Sequence, residues 1–127
     1  MSDQAVQDLI DRYLAAYRAE DAQGCAAAFT PDGHLYSPYG PTAAGRAAIA
    51  ATHLEWFAEK EEDKRLDLEE LQQYGDQGHC LLSWSANVPD ENDPAKLVRA
   101  GGLSLAILAF DNGQASFSRL ALVPDAI

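Results

Sequence analysis

Positive charge is what this sequence has least of. Its 127 residues carry 9 lysines and arginines against 20 aspartates and glutamates, for a formal net charge of −11. Affinity for nucleic acid rests on basic side chains that displace counterions from phosphates, and no basic stripe is present to do so. An anionic membrane surface is disfavoured for the same reason, so neither nucleic acid nor membrane is expected as a partner. Acidity on this scale serves solubility, with a cationic partner as the alternative use. Cysteine is scarce as well. Cys25 and Cys80 lie far apart without C-x-x-C spacing, one in an alanine-rich helical stretch and one in an apolar strand, and both read as small buried hydrophobes. Three histidines, His34, His53 and His79, lack metal-ligand spacing to one another or to the cysteines. There is no G-x-S-x-G, no phosphate loop and no dinucleotide fingerprint, so no metal and no cofactor is expected. No apolar run approaches the roughly 20 residues of a membrane helix. Residues 1–4 show neither the basic region nor the apolar core of a signal peptide, so the expected location is the cytoplasm.

What is present is a globular composition, 47% hydrophobic and 23% charged. Residues 1–127 are the length of one domain, large enough to bury roughly two-thirds of the unfolded surface. The strongest periodicity is in residues 2–19, where Val6, Leu9, Ile10, Tyr13, Leu14 and Tyr17 recur at helical spacing and form one apolar stripe holding two phenols. Residues 21–24 break that helix, and a short second helix is predicted over 25–29. Thr30, Pro31, Asp32 and Gly33 have turn chemistry. A short strand over 34–39 follows, with Pro38 pointing to an edge or a bulge. A third helix is predicted from about 42–45 to 62, carrying Ile49, His53, Trp56, Phe57 and Lys60 along one side, with a solvated, charged tail over 59–65.

The remainder reads as strands, over 66–74, 79–88, 97–110 and 115–123. Gly101 and Gly102 suggest a bulge or bend, and Asp111, Asn112 and Gly113 mark a hairpin. Strands joined by short turns imply an antiparallel sheet, and helices gathered in the first half must pack on one of its faces. The class is therefore α+β. Alternation along 34–39 puts Leu35, Ser37 and Tyr39 on one face and His34 and Tyr36 on the other. Residues 97–110 are apolar on both faces, with Leu103, Leu105 and Ile107 on one and Ala106, Leu108 and Phe110 on the other. A strand facing solvent on one side should alternate, so a covered outer face and a homodimer are expected. Pattern alone gives Trp84 no face.

The segment RYLAAYRAEDAQGCAAAFTPDGHLYSPYGPTAAGRAAI, residues 12–49, combines the helix, an E-D-x-x-G break, an A-x-F-T-P-D-G turn and a G-R-x-A-I helix start. With the hairpin at 111–113 and the last strand, it resembles the nuclear transport factor two-like, or SnoaL-like, superfamily over nearly the whole chain. That resemblance implies a cystatin-like cone: a strongly bent antiparallel sheet wrapped around the N-terminal helix, two further helices, and a pocket in the open end. It does not select a chemistry, because the superfamily includes ketosteroid isomerase, polyketide cyclases, epoxide hydrolases, dehydratases and pure binding modules.

Ketosteroid isomerase uses an aspartate base with a tyrosine and a protonated aspartic acid as donors. The resemblance puts the tyrosine at Tyr13, after Arg12, as a donor into the pocket or a core tyrosine with a backbone partner. The base falls on Ser37 and the second acid near Ala106, neither with a carboxyl group, so isomerase chemistry of that kind is rejected. His53 takes the place of an aromatic that supports the tyrosine. A His53–Tyr13 hydrogen bond is expected, and His53 is either the acid–base group or a buried neutral histidine. The resemblance places Ser118, Leu120 and Leu122 inward on the last strand, and Phe117, Arg119 and Val123 outward. The expected lining is Tyr13, Tyr17, Leu35, Ser37, Tyr39, His53, Phe57 and Ala106, with Trp56 at the rim. Such a lining suits a small hydrophobic, carbonyl-bearing molecule. The other reading is a cone filled by its own side chains.

Overall fold

The computed structural model describes residues 2–38 and 40–124. In chain order its elements are α1 (Ser2–Arg18), α2 (Ala22–Ala27), β1 (Phe29–Tyr36), a two-residue β2 (Ala43–Ala44), α3 (Arg46–Ala58), β3 (Glu62–Tyr74), β4 (Gln77–Pro89), β5 (Leu97–Asp111) and β6 (Gln114–Pro124). The strands form one sheet in the order β2-β1-β6-β5-β4-β3. All neighbours are antiparallel except β1 and β6, which run parallel. The sheet is therefore mixed. Between β1 and β6 the chain passes through α3 and three long strands, so no tight turn obliges the pair to run in opposite directions. Helix α1 touches β6 and also β3, although β5 and β4 lie between those strands. In a flat sheet they would be about 14 Å apart, so the sheet curls over the helix and stays unclosed, as the cystatin-like class requires.

The predicted stripe of α1 is the core of the molecule. Val6, Leu9, Ile10, Tyr13, Leu14 and Tyr17 are all buried. Its outer face carries Gln4→Asp8 and Gln7→Asp11 hydrogen bonds one turn apart. The chain leaves α1 through Glu20 in the left-handed region (φ 54°). Asp21 then caps α2 by accepting from the Gly24 N–H at 3.0 Å. A Cβ on Gly24 would lie 2.5 Å from Asp21 Oδ2 and 2.9 Å from Ala16 Cβ, so glycine is what lets α2 close on its own cap and on α1. This capping starts the second helix at Ala22 rather than at Cys25 and releases Phe29 into β1.

The turn expected at residues 30–33 sits inside β1 as an irregularity. Phe29 pairs with Phe117, and pairing resumes only at His34 with Arg119. The carbonyl of Phe29 is taken up by Arg46, whose Nε and Nη2 donate to it at 3.0 and 2.7 Å. Gly45, at φ 85°, sets up that contact and starts α3 at Arg46, later than expected, with Ala43 and Ala44 pairing against β1.

Two further expectations are corrected. The tail over 59–65 is not a solvated helix. α3 ends at Ala58, Lys60 and Asp63 take positive φ (60° and 53°), and the chain reverses into β3, whose alternation buries Lys64. Gly101 and Gly102 pair with β4 without a break. A Cβ on Gly101 would come within 2.5 Å of the Trp84 carbonyl, so that glycine answers a close backbone approach. The bulge lies instead on β6, where Ile107 pairs with Arg119 and Leu108 with Phe117, leaving Ser118 unpaired with β5. The extra residue changes the phase of the strand, so Phe117 and Leu120 both face the core and Phe117 is not on the outer surface as expected. On β5 the two faces are as expected: Ala106 and Leu108 are buried, while Leu103, Leu105 and Ile107 are exposed, Leu105 to 51%.

Candidate functional site

α1 and α3 each bring one polar aromatic to their shared interior. The Nδ1 of His53 lies 2.8 Å from the Ile49 carbonyl, one turn back in α3. A carbonyl only accepts, so Nδ1 carries the proton and Nε2 of the neutral ring is an acceptor. The hydroxyl of Tyr13 donates to that Nε2 at 2.7 Å. His53 is fully buried, with the rings of Tyr13, Tyr17, Trp56 and Phe57 around it. Burial pushes its pKa down to about 4; the Ile49 bond works against this, and the charge of Lys64 adds to it. Burial also holds the Tyr13 phenol well above its ordinary value, helped by Cys25 and Glu61. At neutral pH the pair is uncharged and the Tyr13 proton points at His53.

Toward the open end, charge replaces neutrality. Lys64 is only 9% exposed. Its Nζ sits 4.8 Å from the ring centre of Tyr17 and 4.7 Å from that of Trp84, an ammonium between two aromatic walls. Among the described residues Lys64 forms no ion pair. Burial lowers its pKa, while Glu61, Cys25 and Glu59 oppose the shift. The Tyr17 hydroxyl donates to a carboxylate oxygen of Glu61; burial, followed by that hydrogen bond, raises the Tyr17 pKa. The indole Nε1 of Trp84 is buried without a hydrogen-bond partner.

Three hollows meet around these groups, and Lys64 and Trp56 line all of them. The largest, about 220 Å³, is walled by Tyr17, Trp56 and Phe57, with Arg18, Glu61 and Lys64 at its polar edge. A second, about 50 Å³, lies among Trp56, Glu59, Lys64, Trp84 and Leu122. The third reaches inward to Tyr13 and Ser104 but encloses only about 20 Å³. Among the described residues no group of three histidine, cysteine or acidic side chains is disposed to hold a metal ion.

The residues singled out from sequence divide accordingly. Tyr17 and Phe57 line the main hollow and Tyr13 lines the inner cleft. His53 stands behind Tyr13 and lines none of the three. Leu35 and Ala106 are buried in the core away from these hollows, Ser37 is half-buried just beyond β1, and Tyr39 lies outside the described residues. Sequence reasoning missed Lys64, Glu61 and Trp84. The signal that would have found the lysine is its alternation with Leu66 and Leu68, read as a strand that starts four residues earlier.

Residues 10–115 match the SnoaL-like domain family, and the chain belongs to it. No curated protein matches the chain. A ketosteroid isomerase-like protein from Erwinia carotovora atroseptica superposes with a TM-score of 0.81 at 20% identity, covering 98% of this chain and 96% of that one. A protein of unknown function from Mycobacterium tuberculosis gives 0.80 at 20% identity, covering 99% and 73%. A nuclear transport factor two-like protein with a cystatin-like fold from Novosphingobium aromaticivorans gives 0.74 at 18% identity, covering 96% and 80%. These likenesses establish the fold. No helix among the described residues is long and apolar enough to cross a membrane.

Proposed function

We propose that this chain binds a small hydrophobic, carbonyl-bearing molecule at the open end of the cone, with at most acid–base chemistry of the isomerase, cyclase or hydratase type. The observation that carries this reading is the hollow of about 220 Å³ walled by Tyr17, Trp56 and Phe57, with a caged ammonium at its edge. It lies below the about 300–1,000 Å³ usual for ligand sites, which selects small ligands. Glu61, Glu62, Asp63 and Glu20 share the lining with Arg18 and Lys64, which disfavours anions, while the aromatic walls suit a neutral hydrophobic ligand. In the acid–base part Tyr13 and His53 act together. Tyr13 reaches the inner cleft, and His53 holds its proton and fixes its orientation.

Fluorescence titration tests the binding, because Trp56 and Trp84 both face the hollows. Saturable quenching by small aromatic ketones, lost in Trp56→Ala, is expected; quenching that rises linearly for every compound removes the ligand site. For the chemistry, His53→Ala abolishes turnover while circular dichroism stays native. Unchanged turnover in that variant takes His53 out of the role.

One observation favours a second reading: beside Tyr13 only about 20 Å³ is open. On that reading the cone is filled and the chain is a non-catalytic homodimeric module. Self-association suits either reading. Leu103 and Val123 are paired across β5 and β6, with Leu105 and Ile107 next along β5, and all four are exposed on the outer face.

A further inference from the structure

Lys64 is a buried cation for which the Tyr13–His53 pair has no use. Three observations bear on it. It is 91% shielded yet makes no ion pair among the described residues, so nothing neutralises it directly. Its Nζ stands between the Tyr17 and Trp84 rings, and the residue lines all three hollows. Apart from Arg18, the surrounding charged groups are acidic, Glu59 in the cleft with Trp84 and Glu61 on Tyr17, which disfavours an anion-binding role for the ammonium.

We propose that Lys64 is a carbonyl-capturing amine: its Nζ adds to the carbonyl carbon of a small neutral aldehyde or ketone seated against Tyr17, Trp56 and Phe57 and forms an imine. The proposal deepens the ligand-site reading and rests on it. In the first step the nitrogen lone pair forms the C–N bond, and the carbonyl π pair moves to oxygen, giving a carbinolamine. In the second the hydroxyl leaves as water, the two amine hydrogens of the free base ending in that water, and the C=N bond closes. No oxidant or reductant is required. Burial favours the uncharged amine that the first step needs. Solvent water at the mouth of the hollow relays the proton to the departing hydroxyl. A purely structural plug, an ammonium held by two π faces, is the competing role.

Benzaldehyde with sodium cyanoborohydride tests the proposal on the intact chain. Reduction converts a transient imine into a stable benzyl-lysine that peptide mass spectrometry locates. Lys60 and Lys96 are exposed and serve as internal controls, with the quenching of Trp56 and Trp84 recorded in parallel. The expected result is labelling of Lys64 at least tenfold faster than either control, abolished in Lys64→Arg, which keeps a cation between the rings. Saturable quenching with Lys64 labelled no faster than the controls overturns the imine and leaves the ligand site standing. No saturable quenching and no preferential labelling overturns both. Because the controls lie in the wild-type chain, the outcome does not depend on how the variant folds.

Discussion

The neutral state of His53 can be measured through its effect on stability. Its folded pKa is about 4 against 6.5 for the free side chain. Between those values the unfolded chain binds a proton that the folded chain refuses, so stability rises with pH there. The contribution is complete above about pH 6.5 and is lost as pH falls toward 4. Linkage with these two values gives a loss of about 2 kcal/mol between pH 7.5 and pH 5. His53→Phe keeps an aromatic on α3 and removes the titration, but leaves the buried Tyr13 hydroxyl without its acceptor, at about 1–3 kcal/mol. The wild type is therefore more stable than the variant at pH 7.5, and the gap closes by about 2 kcal/mol at pH 5. Urea unfolding followed by circular dichroism at both pH values reads the gap directly. His34 and His79 are common to both proteins and cancel. Parallel pH dependence in the two proteins would refute the buried, neutral histidine and with it the proton placement on Tyr13.

Gly24→Ala should lower stability by about 1–3 kcal/mol in the same assay, because its methyl would meet Asp21 Oδ2 and Ala16 Cβ below contact distance; a neutral result would mean that α2 shifts without cost. Arg46→Met removes both donors from the Phe29 carbonyl and is expected to cost about 1–3 kcal/mol, with increased hydrogen exchange at the start of α3. Leu105→Lys places a charge in the middle of the exposed apolar face of β5; light scattering should report a dimer for the wild type and a monomer for the variant, and equal masses would remove this face as the interface.

The fold was legible because its strongest signals are local. The α1 stripe, the hairpin at residues 111–113 and the two faces of β5 depend on periodicity and turn chemistry that neighbouring residues set by themselves. The Tyr13–His53 contact was also within reach, since the resemblance supplied which helices face one another. What failed were phases and boundaries. Ser118 reverses the alternation of β6, and no local residue type announces a bulge that the pairing with β5 creates. Residues 59–65 look like a charged helix tail because charge is normally solvated, yet two positive-φ residues turn them into a strand.

Sequence by itself determined that the first helix is buried along one side and that long strands follow it. Those properties reside in single residues and their spacing. Only the tertiary structure decided that an inward-facing lysine lies between Tyr17 and Trp84. The three residues come from α1, β3 and β4, and a sheet must curl before the aromatic faces that shelter an ammonium can close on it from both sides.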